Sequence, residues 1–495
     1  MNTSYKSVAS ACMLSLLSLA VLASPPIKPI KLKADKASVD GITYTLNAKK
    51  QEAKVVKADQ PYSGDIVLTD SIEVDSVVYK VVEIDGNAFS KSAITSIDIS
   101  ASIAKIGQRA FEGCDALEQI TIPATVTDWG TGLFISCKNL KEVNLPETLT
   151  KLPNDIFENC TSLEDITLPE SLTAIGSDAF KGCADLKKIT LPRSVTDVGS
   201  DAFKNCNSLK DVSLSDNLKS LGSSAFEGCS ALREISLPKS LTKLPNALFK
   251  GCSNLKEVKI PSSIKSVGFS VFEECVDLEQ IAIPSSITDF GSSVFRNCRS
   301  LASVSLPNSV EKLSANMFYG CTSLKEAHLP STLKSIAHDA FNGCANLDSI
   351  RVPNSVKDMG SSVFEDCTSL RVVELSVSLK ELPGRLFRGC TNLITLTLPT
   401  AIGEIKDDVF RGCTSMRTIT IPNSVKKMGN DVFKDCPSLT TIICRASSPC
   451  KISGDTFDKN VLRNATLYVP IVHPYMTDSS KRWNKFTSIL PIKGS

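Results

Sequence analysis

Residues 168–183 read LPESLTAIGSDAFKGC, and close copies of this segment recur every 23 residues through most of the chain. Fifteen cysteines from Cys114 to Cys436 mark the period without insertion or deletion, and a phenylalanine stands three residues before each of them. Repetition at a fixed period of this length is typical of stacked-coil architectures. The 495 residues therefore predict one repeat solenoid, α/β or mainly β, of about 16 coils, rather than roughly three globular domains.

Each 23-residue unit contains one short strand, which the apolar positions locate. Counted from Cys114, apolar residues follow at 3, 6 and 8 positions, here Leu117, Ile120 and Ile122. The last two alternate with period two, which indicates a strand with one buried face. Proline comes next in most copies and ends the strand because it has no N–H to donate. A second extended piece and a bend with the phenylalanine complete the unit, and stacking of successive units forms the core.

The bends follow a longer period. Bends of one type carry a large residue before the phenylalanine, as after Leu152 and Leu244, and recur near Leu313 and Leu382. The steps between them are 69 residues, except for one step of 92 residues between Leu152 and Leu244. We interpret this pattern as growth by duplication of three-coil blocks, with one extra coil gained near residues 210–250.

The segment 168–183 and its copies resemble the leucine-rich repeats of BspA-like bacterial surface proteins, over about residues 80 to 470. The resemblance implies a right-handed leucine-rich-repeat arc with a parallel sheet on its concave face. It also implies an exported adhesin-type role, in which relatives attach to host matrix proteins or to other cells.

Five segments are predicted along the chain. Lys6 and the apolar run that ends at Ala23 predict a signal peptide over residues 1–23. The other segments are a flexible spacer at 24–38, an antiparallel N-terminal β cap at 39–83, the solenoid at 84–445, and an irregular coil with a C-terminal cap at 446–495. Trp483 and Phe486 are expected on a helical turn that covers the last coil. We expect no membrane-spanning helix, because no segment approaches about 20 apolar residues.

The composition argues against several classes of function. Lys and Arg number 55 and Asp and Glu 53, so the net charge of +2 creates no field that attracts nucleic acid. No phosphate loop, calcium loop or catalytic-triad pattern is present, and we expect no enzyme activity and no cofactor. The three histidines are expected at the surface, with His328 on the strand face, His338 in a bend and His473 in the C-terminal cap.

The fifteen cysteines from Cys114 to Cys436, called the cysteine ladder below, are predicted to be structural. Neighbours on the ladder are a whole coil apart, so no Cys-x-x-Cys zinc clamp is formed, and we expect no metal site. Fifteen equivalent side chains with equal neighbours on both sides do not select disulfide pairs, which favours an inner column of buried thiols. Cys444 and Cys450 stand off the ladder on either side of the turn at 447–449. Both a disulfide and two thiols fit that pattern in an exported protein.

The outward strand positions predict where a ligand binds. In the first half they carry mixed charges, as at Lys141, Glu164 and Lys187, which is typical of a solvated face. From about Asp348 onward, arginine stands beside aliphatic side chains and threonine methyl groups, a combination typical of interfaces. Drift among duplicated coils is the alternative explanation. The residues assigned to this candidate site are Arg351, Arg371, Val372, Glu374, Ile394, Thr395, Thr397, Arg417, Thr418 and Thr420.

The expected partner is a protein of the host matrix or of a cell surface. A glycan is the second class considered, and the pattern predicts no aromatic platform for sugars on the strand face. The alternative function is an envelope scaffold or glycan-capture module that works with other exported proteins. No oligomeric state follows from the pattern.

Overall fold

The computed structural model describes residues 30–33, 35–478 and 482–492, and it is a parallel β-solenoid of about 18 turns with a period of about 23 residues. The predicted repeat solenoid is confirmed. It has slightly more turns than the predicted 16 because both caps add strands to the stack. The predicted signal peptide at 1–23 and the spacer as far as residue 29 lie outside the described residues.

The first strand of each coil belongs to a front sheet, which the family resemblance places on the concave side. A buried residue alternates with exposed ones, as Ile120 does with Gln119 and Thr121. Each strand pairs in parallel with the equivalent strand one coil later. Residues 165–167 and 280–282 form no strand, and only the last five front strands form a continuous ladder of more than two. The front strands are Ser63–Val67, Ala93–Asp98, Gln119–Thr121, Glu142–Asn144, Lys188–Thr190, Asp211–Ser213, Glu234–Ser236, Glu257–Lys259, Ser303–Ser305, Glu326–His328, Ser349–Arg351, Val372–Glu374, Thr395–Leu396, Thr418–Ile421, Thr441–Cys444, Thr466–Val469 and Ser488–Pro491.

The second extended piece of each coil forms a two-residue strand of a back sheet, also parallel. This sheet is interrupted after Trp129, Leu221, Phe290 and Met359. The back strands are Lys105–Ile106, Asp128–Trp129, Lys151–Leu152, Ala174–Ile175, Asp197–Val198, Ser220–Leu221, Lys243–Leu244, Ser266–Val267, Asp289–Phe290, Lys312–Leu313, Ser335–Ile336, Asp358–Met359, Glu381–Leu382, Glu404–Ile405, Lys427–Met428 and Lys451–Ile452.

Each interruption of the back sheet coincides with a bend of the Leu152 type. In an ordinary bend, the glycine after the back strand donates its N–H to the preceding coil, as Gly176 does to the Leu152 carbonyl at 3.0 Å. Proline, which has no N–H, takes this position after Leu152, Leu244 and Leu382. After Leu313 the hydroxyl of Ser314 replaces the backbone donor, 2.6 Å from the Phe290 carbonyl. The long period of the sequence therefore divides the back sheet into blocks.

A column of stacked phenylalanine rings runs through the core. Consecutive ring centroids from Phe89 to Phe457 lie 5.3–5.9 Å apart, and Tyr62 and Trp483 continue the column at its two ends. All fifteen ladder cysteines are buried beside it, as predicted. Each thiol donates to the backbone carbonyl of the phenylalanine in the preceding coil, with Sγ···O distances of 3.0–3.2 Å. The ladder thus joins every coil to its neighbour.

The N-terminal cap differs from the prediction in its extent and in its strand directions. Its described part includes Ile30, inside the predicted spacer, and contains the strands Ile30–Lys33, Lys36–Val39, Ile42–Asn47, Glu52–Val55, Ser71–Val74 and Val77–Ile84. The first four pair antiparallel, but Glu52–Val55 pairs parallel with Val77–Ile84, which continues into the back sheet. The prediction of a fully antiparallel cap is therefore wrong. Alternation of apolar residues predicts a strand but does not predict the direction of the strand that pairs with it.

The C-terminal cap closes the other end of the solenoid. It contains the helices Lys459–Asn464 and His473–Met476 and the 3-10 turn Trp483–Lys485. Trp483 is fully buried, 5.5 Å from the Phe457 ring, and Phe486 packs edge-on against that ring, so the predicted aromatic turn is confirmed. The two helices were not predicted. No helix among the described residues is long and apolar enough to cross a bilayer.

Candidate ligand-binding face

The front sheet presents its outward side chains as a regular array, because successive coils pair without a shift in register. Arg351 therefore lies beside Glu374, and Thr395 lies beside Thr418. With strands about 4.8 Å apart, a ligand of modest size contacts several coils at once. The ten candidate residues lie on these strands or directly beside their ends, and the buried residues between them, such as Ile350, anchor the array.

One group of candidate residues borders a shallow, open groove. Arg351, Glu374 and Thr397 line it together with Val373 and Val377. Arg351 Nε lies 3.1 Å from Glu374 Oε2, and both side chains are largely exposed. The groove therefore combines a solvated ion pair with aliphatic surface.

Val377 was not among the predicted residues, although it is 62% exposed. It follows Ser376, which replaces the proline found after most front strands. The buried Ser376 hydroxyl donates to the Val356 carbonyl at 2.6 Å and holds the turn in place. Val377 then takes an outward position that polar residues such as Asn354 hold in other coils. In the sequence, the serine at a position where most coils have proline marks this turn as different.

Arg371, Ile394 and Arg417 form a second group, in a column one residue ahead of three successive strands. They line one shallow pocket together with Asn392 and Ser415. Ile394 is 48% exposed. Arg371 Nε lies 3.8 Å from an Asp348 carboxylate oxygen, whereas Arg417 has no ion-pair partner in the part of the chain that the structure describes. The column therefore places available guanidinium donors next to apolar surface.

Of the remaining candidates, Val372, Thr395 and Thr418 lie between these two groups, and Thr420 follows Thr397 one coil later in the same column. Val372 is 57% exposed and Thr395 is also exposed, whereas Thr418 and Thr420 are half-buried. The structure thus brings all ten predicted residues onto the front face of four successive coils.

The N-terminal half of the front sheet has different chemistry. Its outward charges are paired across neighbouring coils, as in Lys141–Glu118 at 3.0 Å and Lys187–Glu164 at 2.6 Å. Ion pairs this exposed contribute little to stability and are screened by salt. These charges already have partners, as expected for a solvated face.

The expectation that the strand face carries no aromatic platform is wrong at one position. Tyr468 lies between buried Leu467 and Val469, so its ring is on the outward side, next to Ile443 and Leu490 in the sheet. It was missed because its strand follows an irregular coil, outside the 23-residue ladder.

Cys444 and Cys450 are both buried next to the C-terminal cap, and their pairing stays a prediction. Cys444 Sγ lies 3.2 Å from Tyr475 Oη, and that hydroxyl donates to the Ala446 carbonyl at 2.8 Å. Trp483 Nε1 donates to the Cys450 carbonyl at 2.9 Å. Burial raises the pKa of Cys444 above its ordinary value. These contacts hold the C-terminal cap against the last coils.

The histidines lie where the sequence predicted them. His328 ends a front strand, His338 lies in a bend and His473 begins a short cap helix. His338 Nδ1 is 3.0 Å from an Asp339 carboxylate oxygen. Within the described ranges, no group of three or more His, Cys, Asp or Glu side chains is placed to hold a metal ion.

Comparison with known proteins identifies similar repeats and similar folds. The family model for the BspA type leucine rich repeat region, in six copies, matches residues 82–210, 173–302, 291–413 and 380–471. A leucine-rich repeat protein from Bacteroides ovatus is 28% identical, with a TM-score of 0.57 over 84% of this chain and 98% of that chain. A leucine rich cell surface protein from Faecalibacterium prausnitzii is 22% identical, with a TM-score of 0.37 over 86% and 98% of the two chains. The pneumococcal vaccine antigen PcpA is 18% identical, with a TM-score of 0.42 over 69% and 98%. No curated protein matches the chain.

Proposed function

Because the chain belongs to the BspA-type leucine-rich repeat family, we propose that it is an exported adhesin-type binding protein. It recognises a macromolecule of a host or of a neighbouring cell through the front sheet. The family and the fold are those of repeat proteins suited to binding, which supports the proposal. Export rests on the signal peptide expected at residues 1–23.

The observation that carries the proposal is the exposed aliphatic surface between two neighbouring coils. Val372, Val377 and Ile394 are 57%, 62% and 48% exposed, while equivalent positions elsewhere on the front sheet are mostly polar. Val372 and Ile394 take adjacent positions on neighbouring coils, and Val377 lies in the groove beside Glu374. Several exposed apolar side chains on one face mark interaction sites more often than isolated ones do. Arg371 and Arg417 flank Ile394 in its column and add directional hydrogen bonds, which favours a protein partner.

The test places negative charge in the column of Arg371, Ile394 and Arg417, called the arginine column here, in the otherwise complete chain. The triple variant Arg371→Glu, Ile394→Glu, Arg417→Glu should keep its fold, because all three side chains point outward. Binding to immobilised host matrix extract or to intact cells should weaken by about tenfold or more, as expected for residues at the centre of an interface. The half-saturating concentration is the measured quantity, and thermal unfolding checks the fold.

The matched control changes three outward residues of the N-terminal half, Lys141→Glu, Glu164→Lys and Lys187→Glu. These side chains sit at the same position of their coils as Arg371 and Ile394. The control should bind like the unmodified protein. If the control loses binding and the arginine-column variant keeps it, the site lies in the N-terminal half and this assignment is wrong.

A further inference from the structure

The last five front strands form a surface unlike the rest of the front sheet. None of them contains a charged residue, whereas most of the front strands from Glu142–Asn144 to Val372–Glu374 do. They are also the five that pair in one continuous ladder. These strands are Thr395–Leu396, Thr418–Ile421, Thr441–Cys444, Thr466–Val469 and Ser488–Pro491.

Each of these five strands contributes one hydroxyl to a row that crosses the ladder in register. The hydroxyl row consists of Thr395, Thr418, Thr441, Thr466 and Ser488. All five side chains are exposed or half-buried, and their hydroxyls make no hydrogen bond to the described part of the protein. Threonines at other positions behave differently, since the hydroxyls of Thr391 and Thr414 donate to carbonyls of the preceding coil at 3.2 and 3.4 Å. The hydroxyl row is therefore free to bond a ligand.

A second row runs beside the hydroxyl row on the last three strands. It consists of Ile443, Tyr468 and Leu490, which face one another across the ladder. Leu490 is 45% exposed, and Ile443 and Tyr468 are half-buried. Tyr468 supplies an aromatic ring with a polar tip, a side chain suited to surfaces that are apolar on one side and wet on the other. The two rows together form a surface with hydroxyls along one side and apolar groups along the other, and Arg417 borders it before Thr418.

A neutral sugar chain has the complementary chemistry. Its hydroxyls donate and accept hydrogen bonds at the ring edge, and the C–H groups on a ring face pack on aromatic side chains. The strands are about 4.8 Å apart, close to the length of one sugar residue in a chain, so successive sugars meet successive hydroxyls. We propose that the hydroxyl row, together with Ile443, Tyr468 and Leu490, binds an uncharged polysaccharide that lies across the strands. Tyr468 packs on one sugar ring, and the site adjoins the Arg371–Arg417 column, because Thr395 and Thr418 directly follow Ile394 and Arg417.

The test measures retardation of the full chain in native gels that contain one soluble polysaccharide each. Laminarin, α-mannan, galactan and xylan are the neutral probes, and polygalacturonate is the anionic comparison. At least one neutral polysaccharide should retard the protein, and Tyr468→Ala should weaken that retardation by about tenfold or more. The double variant Thr441→Val, Thr466→Val keeps the side-chain shape and should weaken it severalfold, even if Tyr468→Ala disturbs the nearby cap.

The matched control is Thr167→Val with Thr190→Val, which removes two exposed hydroxyls from the charged N-terminal half of the front sheet. It should leave retardation unchanged. The proposal is overturned if none of the four neutral polysaccharides retards the protein, or if only polygalacturonate does. It is also overturned if the Tyr468 and Thr441/Thr466 variants are retarded like the unmodified chain. Loss of protein binding in these variants, without any polysaccharide binding, would assign the surface to a protein partner instead.

Discussion

At the scale of single residues, the buried thiol ladder makes stability depend on pH in the alkaline range. Burial raises the pKa of Cys114 and Cys436, at the ends of the ladder, to about 12, and it raises the pKa of the thiols between them above the ordinary value as well. An unfolded thiol has a pKa of about 8.5. Between the two values the unfolded chain binds fewer protons than the folded chain, so the free energy of unfolding falls as the pH rises.

We therefore expect the urea midpoint to be constant between about pH 6 and pH 8 and to fall steeply above about pH 9, since each thiol contributes up to about 1.4 kcal/mol per pH unit. Far-ultraviolet circular dichroism gives the midpoint. As a control, a thiol reagent at neutral pH should label the ladder cysteines only in denaturant. A constant midpoint up to about pH 11, or rapid labelling of the native protein, would contradict the buried ladder.

Core residues that keep to the 23-residue period were predictable, and two residues of the front face were not. Cys252 and Phe249 have fixed neighbours in both adjacent coils, so their burial follows from spacing alone. Val377 keeps the period but lies in the turn after the strand, outside the strand positions from which the candidates were taken, and Tyr468 follows an irregular coil. The part of the face that departs most from the repeat is therefore the part that the sequence described least.

At the scale of elements, the C-terminal cap is expected to protect the coils next to it. Trp483 is fully buried against Phe457 and Tyr475, and it donates a hydrogen bond to the backbone of the preceding turn. Trp483→Ala removes this packing and should cost about 3–5 kcal/mol. In a repeat array the loss spreads to nearest neighbours first, so coils near Phe433 should lose hydrogen-exchange protection while those near Phe134 keep it.

The matched comparison is Trp129→Ala, because Trp129 is half-buried on the back sheet near the other end. Its cost should be smaller, and any loss of protection should lie in the N-terminal coils. Peptide-resolved mass spectrometry measures both patterns. Equal loss of protection along the whole chain in either variant would mean that the solenoid unfolds as a single unit.

Elements inside the repeat were predictable because the same strand and bend occur many times, whereas the caps occur once. The parallel pairing of Glu52–Val55 with Val77–Ile84 brings together strands that are distant in sequence, and no local pattern encodes it. The breaks in the back sheet were visible in the sequence as a change of bend type at Leu152 and its equivalents. Their consequence, a missing backbone donor, depends on contacts between neighbouring coils, which the sequence pattern does not contain.

At the scale of the whole molecule, the coils should be exchangeable units. Deletion of residues 207–229 removes one coil, joins Cys206 to Ser230, and restores a 69-residue step between bends of the Leu152 type. The shortened protein should fold with a similar thermal midpoint, because each remaining coil keeps neighbours of the same type. Small-angle scattering should show a solenoid shorter by about 4.8 Å.

A deletion of residues 207–218 is the control, since it removes only part of a coil. It leaves an incomplete coil that cannot stack on its neighbours, so the unfolding transition measured by circular dichroism should move to a lower temperature and lose cooperativity. If both deletions behave alike, the period does not define the unit of folding.

The two tryptophans of the chain stand near opposite ends of the phenylalanine column, Trp129 on the back sheet and Trp483 in the C-terminal cap. Phenylalanine emits weakly, so ultraviolet fluorescence excited in the tryptophan band originates from two places that share no coil. Trp129 is half-buried and should be quenched by acrylamide in the native state, whereas the enclosed Trp483 should resist the quencher until its end frays. The protein therefore carries two optical probes, one for each end, and light emission alone can tell which end opens first.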